Sequence, residues 1–426
     1  MASLLDLGSQ TLTGVFPKST RERITSGPLE LVKCQAHGDS EACGLVQLAH
    51  TYPKEEMYGD NYGYHSSLNK AMTDHLTRKA ERIQKRISLK KGDIIVDIGS
   101  NDASFLKNFG KQYVLVGIDP TGLKFKQYYP DHISLVPRFF DAAAFRDEFP
   151  DRKAKVVTSF AMFYDLDAPR EFVTHVHDIL ADDGIWIIEQ SYLPTMLDAN
   201  AYDTICHEHA EYYCLSDIKW MADRAHLKII DIEFNDVNGG SFSVTFAKKN
   251  APYKEAVKQI ASVLAEENMR GMHTNDPVVA LQERLSVSKK ELLQFLNTAN
   301  MEGKTVMGYG ASTKGNVLLQ YCGITEELVP YIGEVNPNKF GCFTPFTHIP
   351  IIPESEVRAM KPDYMLVLPW HFRNSILAKE KKYLDGGGTL VFPLPKLDFV
   401  GGVRKKKSIQ VKRKTATKAR KSIRTK

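Results

Sequence analysis

Between Asp203 and Tyr213 the chain reads Asp203-Thr204-Ile205-Cys206-His207-Glu208-His209-Ala210-Glu211-Tyr212-Tyr213, which packs two imidazoles, three carboxylates and two phenols into eleven residues. Such a density suits proton transfer. A histidine with a pKa near neutrality is the usual general base, and Glu208 could orient it or share its proton. The natural task is a hard acceptor, such as a carbon that must first lose a proton, made removable by a neighbouring ketone. The resulting enolate oxygen needs hydrogen-bond donors, and Tyr64 or Tyr212 could supply them. Metal is the competing use of these residues. A zincin helix needs H-E-x-x-H, but position 211 is Glu211, and no third ligand is spaced to complete the His207/His209 pair.

The elements that must position this cluster read as alternating strands and helices. Gly92 to Gly99, Tyr113 to Asp119, Lys155 to Phe160 and Gly184 to Glu189 are short apolar runs ending in turn chemistry, as buried parallel strands are. An amphipathic helix from about Pro169 to Leu180 separates the last two and stops at Asp182-Asp183-Gly184. Lys228 to Phe234 and Ser241 to Phe246 flank Asn238-Gly239-Gly240, a hairpin that closes the sheet with an antiparallel pair. A long charged helical stretch from about Tyr253 to Thr298 precedes a second α/β series. Its strands are Lys304 to Gly310, Leu328 to Glu334, Pro362 to Pro369 and Gly388 to Pro393.

Two turns in these series carry binding chemistry. Asp97-Ile98-Gly99-Ser100-Asn101-Asp102-Ala103 has one glycine where a dinucleotide fingerprint has three, although Asn101 can supply a left-handed residue. Asp119 ends the next strand 22 residues after Asp97, where a carboxylate accepts hydrogen bonds from ribose hydroxyls. An adenosine pocket without a pyrophosphate cradle favours S-adenosylmethionine over NAD. The second turn, Gly308 to Asn316, brings Ser312, Thr313 and Lys314 to the start of a helix, where exposed amides and the dipole favour phosphate. A nucleotide-linked substrate is the natural guest, and Glu334, 20 residues after Lys314, stands where a second ribose could be held.

Composition sets the frame. The 426 residues are 43% hydrophobic and 25% charged, enough for two or three soluble domains. No apolar run approaches the roughly 20 residues that span a bilayer, and the start lacks a basic n-region followed by an apolar stretch, so the expectation is a cytoplasmic protein with no membrane partner. Six scattered cysteines fit reduced thiols. Residues 404–426 hold twelve Lys or Arg and no acid, and removing those twelve from the net +5 leaves −7 on the first 403. This tail is expected to be disordered, and nucleic acid enters only through it. Cys34 and Cys43 look like half of a zinc site, still short of a full set with His37.

In this order the motifs resemble the sugar C-methyltransferase family, whose members use S-adenosylmethionine to methylate C-3 of nucleotide-linked 4-keto deoxysugars. The likeness spans nearly all of residues 4–398. It rests on Cys43-Gly44-Leu45-Val46-Gln47-Leu48, Tyr62 to Ser67, Ile98 to Asp102, His207-Glu208-His209, Asn238 to Ser241, Gly310 to Asn316 and Leu368 to Phe372. The resemblance implies an α/β chain with a class I, Rossmann-like methyltransferase domain at 76–250 and a Rossmann-like substrate domain at 251–403. A small zinc-binding-type domain at 1–75 precedes them, and the basic tail follows at 404–426. It further implies His209 as the base with Glu208 and Tyr64 beside it. Gly99, Ser100, Asn101, Asp102 and Asp119 would hold the donor, and Ser312, Thr313, Lys314, Asn316 and Glu334 the substrate. The family's first cysteine pair falls before Leu4, so zinc at Cys34 and Cys43 lacks ligands. Two other readings remain: O- or N-methylation of another phosphorylated metabolite, and a non-catalytic, nucleic-acid-associated homologue.

Overall fold

The computed structural model describes residues 1–35, 42–58 and 65–402. Tyr64, His37 and the tail from 404 onward, each assigned a part above, lie outside the described residues.

Three sheets organise the described chain. The first is antiparallel, in the order β1 (Ala2–Thr11), β2 (Ser26–Lys33), β3 (Val46–Leu48) and β9 (Glu211–Tyr212). Its last strand is part of the proton-transfer segment, with Val46 opposite Tyr212 and Gln47 opposite Glu211. So small a sheet cannot bury enough apolar surface by itself. Leu5, Leu29 and Leu31 instead share one core with Leu285, Val306 and Leu366 from the far end of the chain. The N-terminal region is thereby joined to both larger units.

The second sheet has the order β10-β11-β8-β7-β4-β5-β6, built from β4 (Ile94–Ile98), β5 (Val114–Ile118), β6 (Ile133–Val136), β7 (Ala154–Phe160), β8 (Leu180–Ser191), β10 (Leu227–Asn235) and β11 (Ser241–Lys248). Strands β4 to β8 are parallel, and β11 runs antiparallel to both β8 and β10. Every residue of β4 is buried because the sheet is covered on both faces. Val96 and Ile188 pack with Phe172 and Val176 on one side, while Ile95 and Ile187 pack against helix α1 (Lys70–Arg86) on the other. The expected hairpin turns through Asn238 at φ 56°, Gly239 at 91° and Gly240 at 118°. A β-carbon on Gly240 would stand 2.1 Å from Thr195 Cγ2.

The helical stretch after β11 is two helices, Val257–Met269 and α2 (Asp276–Met301), parted near Gly271 at φ 69°. The third sheet follows with β12 (Val306–Tyr309), β13 (Ile332–Glu334), β14 (Ile351–Pro353), β15 (Tyr364–Val367), β16 (Thr389–Phe392) and β17 (Asp398–Gly401). Its order, β14-β13-β12-β15-β16-β17, is that of a doubly wound nucleotide-binding sheet, with only β17 antiparallel. Four of these six strands are marked in the sequence by apolar runs. The two missed are the short edge strands β14 and β17, where three or four residues give too little pattern to read. Among the described residues no helix is long and apolar enough to cross a membrane.

Candidate active site

In both large sheets the strand order reverses beside the first strand, and ligands bind past the carboxyl ends there. In the central sheet that place holds a cavity of about 420 Å³. Gly99 at φ 74°, Asn101 at 47° and Ala103 at 60° turn the chain sharply out of β4. Gly99 is needed twice over, since its φ favours glycine and a β-carbon would lie 2.9 Å from Met162 Cγ. Gly99, Ser100 and Asn101 line the cavity, as does Asp119. The Asp119 carboxylate accepts from the Asn101 amide at 2.7 Å, from the Thr121 amide at 2.7 Å and from the Thr121 hydroxyl at 2.6 Å. Asp97 also lines it, accepting from Thr158 Oγ1 at 2.6 Å. Burial, helped by the charges of Asp119 and Asp102, pushes the Asp97 carboxyl up to about 7. Asp141, Asp165, Asp167 and Glu171 bring further carboxyls to the wall, with Lys54 as its lysine. So acidic a cavity suits a cationic ligand of adenosine size.

Asp102, expected at the donor, is not among the lining residues. It is fully buried and committed to His65 Nε2 at 3.0 Å, the Ser67 amide at 2.9 Å and the Ser104 amide at 3.1 Å. Its contacts hold the entry to α1 against the β4 loop.

The proton-transfer segment leaves the turn Tyr202–Thr204 and runs into β9. His209 Nδ1 lies 2.8 Å from the Thr204 carbonyl oxygen, so that nitrogen carries the hydrogen and Nε2 keeps its lone pair. Burial, with the nearby Lys314 ammonium, holds the imidazole neutral at a pKa of about 3. Its ring lies 4.2 Å from that of Tyr164, and together with Ser191, Thr204, Glu211 and Tyr212 it borders a void of about 10 Å³. Glu208 accepts from Thr13 Oγ1 at 3.4 Å, and burial raises its pKa. A β-carbon on Gly14 would come within 1.9 Å of Glu208 Oε1, so the strap after β1 passes directly over this carboxyl. His207 is a packing residue, buried edge-on against Tyr52 at 4.6 Å, and burial lowers its pKa to about 4.

The second α/β unit presents helix α3 (Thr313–Cys322) to this cluster. Thr313 Oγ1 lies 3.5 Å from the β-carbon position of Gly14, which puts it beside Glu208. Lys314 Nζ donates to the Asn238 carbonyl at 3.0 Å, across to the hairpin of the central sheet. Burial lowers its pKa, against the pull of Asp203, whose own carboxyl burial raises to about 6 while it accepts from Trp370 Nε1 at 2.7 Å. Ser312 spends its hydroxyl capping its own helix, taking the Gly315 amide at 3.0 Å. Two expected substrate contacts have other duties. Asn316 is fully buried and donates to the Thr13 carbonyl at 2.7 Å. Glu334 accepts from the amides of Ala311, Val335 and Asn336 at 2.7 to 2.8 Å, locking its own loop.

Cys34 and Cys43 lie close enough to hydrogen-bond, and burial raises the Cys43 thiol. Among the described residues no group of three or more His, Cys, Asp or Glu could hold a metal. Cys34 and Cys43 are two of the four ligands that a structural zinc takes.

The sequence motifs contain Asp97, Asp203 and Trp370 without a role for each, and do not include Thr121, Tyr164 or Asp165. Asp165 was findable, since a carboxylate just past a buried parallel strand stands where α/β sheets bind ligands. The pairing of Asp203 with Trp370 was not, because they meet only across 167 residues of chain.

An acidic adenosine-sized cavity at the switch point of a seven-stranded sheet with one reversed strand defines an S-adenosylmethionine-dependent methyltransferase. Three family models match the chain in order: "Putative zinc binding domain" over residues 1–58, "Methyltransferase domain" over 69–232 and "C-methyltransferase C-terminal domain" over 236–395. C-methyltransferase NovU of Streptomyces niveus is 29% identical over 371 residues, covering 86% of each chain. Among solved structures, a chain from the complex of the Haloferax volcanii Trm112 methyltransferase activator with a methyltransferase aligns at TM-score 0.35 and 16% identity, over 43% of this chain and 94% of that one. The CurJ carbon methyltransferase aligns at TM-score 0.34 and 11% identity, over 43% and 57%. The chain thus matches the three domain descriptions in order and is an S-adenosylmethionine-dependent methyltransferase similar to a C-methyltransferase.

Proposed function

We propose that this enzyme methylates C-3 of a nucleotide-linked 4-keto deoxysugar, with His209 removing the proton that the neighbouring ketone acidifies. The observation that carries this reading is the His209 ring itself. It is neutral, with Nδ1–H held by the Thr204 carbonyl and the Nε2 lone pair free to accept a proton. Oxygen or nitrogen acceptors have little need for so guarded a base. Bound S-adenosylmethionine supplies a methyl group on a sulfonium, already a good electrophile, so the chain's own work is alignment and deprotonation. Gly99, Ser100, Asn101 and Asp119 would hold the donor from the β4 side. Lys314 and Thr313 at the start of α3 would meet the substrate's diphosphate, which supports a nucleotide-linked acceptor. Tyr212, whose hydroxyl is buried, borders the same void as His209 and is a candidate donor to the enolate oxygen.

The test is incubation with labelled S-adenosylmethionine and a panel of 4-keto sugar nucleotides, followed by product analysis. Methylation at carbon with loss of deuterium from the C-3 position of a labelled acceptor is the expected result. Methylation at oxygen or nitrogen with the C-3 label retained would overturn the reading.

A further inference from the structure

The turn Phe163–Asp165, which follows β7, sends consecutive side chains to different places. Tyr164 stacks near His209 in the small void, whereas Asp165 lines the donor cavity. Most carboxyls around that cavity are committed. Asp97 takes Thr158, Asp119 takes Asn101 and Thr121, Asp141 caps a helix through the Ala144 amide at 2.6 Å, and Asp167 pairs with Lys54 at 2.7 Å. Asp165 is different: the Tyr58 hydroxyl is hydrogen-bonded to its carboxyl, yet its buried Oδ1 makes no hydrogen bond among the described residues. A buried oxygen left unpaired on a carboxyl that lines a ligand cavity calls for an explanation, and a ligand supplies one.

We propose that Asp165 is a further catalytic residue, a protonated acid whose O–H donates a hydrogen bond to the oxyanion that develops on the acceptor while His209 removes the carbon-bound proton. This rests on the acceptor having a carbonyl beside the methylated carbon. The groups facing Asp165 set its protonation. Glu208 and Glu211 approach from the β9 segment and disfavour a further negative charge, while Lys54 and the Tyr58 hydroxyl favour it. Burial is the largest influence, and with the two glutamates it pushes the carboxyl well above its ordinary range. A carboxylic acid kept neutral in this way can donate at neutral pH. The proton balance closes. The carbon's proton passes to His209 Nε2 and the electron pair spreads onto the carbonyl oxygen, which Asp165 stabilises without giving up its own proton. The pair then returns to carbon as the new carbon–carbon bond forms and the carbonyl is restored.

Asp165→Ala and Asp165→Asn, in the full chain, separate this role from a structural one. Removing one donor to an oxyanion costs roughly 10²- to 10³-fold in kcat, so the alanine variant is expected to fall by that much with the donor's KM unchanged. The asparagine variant still carries an N–H donor, so it should keep a rate within about tenfold of the parent and lose the alkaline fall that ionisation of the acid causes. An asparagine variant as slow as the alanine one, or an alanine variant near parental rate, overturns the proposal. Difference infrared spectroscopy at neutral pH gives a readout that needs no acceptor: the parent should show a protonated-carboxyl band that Asp165→Asn lacks. If the parent methylates no keto substrate yet shows the band, the functional reading fails and the protonated acid stands. If the band is missing, the assignment of Asp165 fails whatever the substrate.

Discussion

The two Rossmann-like units solve the same backbone problem and then diverge. Gly99 leaves β4 at φ 74° and Gly310 leaves β12 at φ 80°. A β-carbon on either would press against the residue that follows the next strand over, Met162 at 2.9 Å in the first unit and Pro369 at 2.8 Å in the second. An acid ends the neighbouring strand in each, and each accepts an amide from the turn, Asp119 from Asn101 at 2.7 Å and Glu334 from Ala311 at 2.8 Å. There the likeness stops. Asp119 and Glu334 each accept three hydrogen bonds, but Asp119 opens onto a cavity of about 420 Å³, whereas α3 beside Glu334 is tied to the end of β1 through Gln320 and to the strap after it through Asn316. A shared turn geometry therefore does not make a shared pocket; what packs over the turn decides.

The largest effect should come from the base between the two units. His209→Asn is expected to lower methyl transfer roughly 10³-fold, the scale of a general base, while calorimetry still shows S-adenosylmethionine binding. Near-normal turnover would remove His209 from that role. Lys314, on the second unit, should behave differently. Lys314→Met is expected to raise the KM of the sugar nucleotide roughly 10- to 100-fold, the worth of a charge-assisted contact, with donor affinity unchanged. It also removes an ammonium that disfavours protonation of His209. The His209 pKa should then rise from about 3, and the acid limb of the rate profile should move to higher pH. A fixed acid limb would show that Lys314 does not act on the base.

The paired acids break the comparison more directly. Asp119→Ala should weaken donor binding roughly tenfold, as loss of one hydrogen bond to a charged group does. Glu334→Ala should leave donor affinity alone and appear as lost stability of about 1–3 kcal/mol in urea unfolding, because three amides lose their acceptor. Equal effects on donor binding would mean that the two units are not divided as described.

How much of this was legible in the sequence follows the same division. Apart from the edge strands β6, β14 and β17, the strands of both large sheets are legible as apolar runs or by their hairpin turn, because a parallel strand covered on both faces must be apolar throughout. Gly99, Asn101 and Asp119 are legible because a tight turn out of one strand and an acid just past the next are local features. The N-terminal sheet was not readable as a sheet. Its fourth strand arrives from residues 211–212, and its core is borrowed from residues beyond 280, neither of which leaves a local pattern. Glu334 and Asn316 were read as ligand contacts for the same reason in reverse. Their residue types and positions suit a nucleotide, and only the packing of Thr11 to Thr13 against α3 reveals their other duties.

Asn316 gives the smallest and sharpest test of that last point. Its Nδ2 donates to the Thr13 carbonyl at 2.7 Å, and Thr13 Oγ1 in turn reaches Glu208, so Asn316 is one step from the cluster without touching it. Asn316→Ala leaves a buried carbonyl unpaired, which costs about 1–3 kcal/mol of stability. If the residue is a clamp, the variant should unfold at lower urea, and its KM for the sugar nucleotide should change less than twofold at temperatures where it remains folded. Asn316→Asp separates the two roles further, because a carboxylate cannot donate to the Thr13 carbonyl but can still accept from sugar hydroxyls. A clamp loses stability with both substitutions. A ligand contact would instead keep its stability in Asn316→Asp and shift KM in Asn316→Ala, which would place the second unit's turn back among the substrate-binding loops.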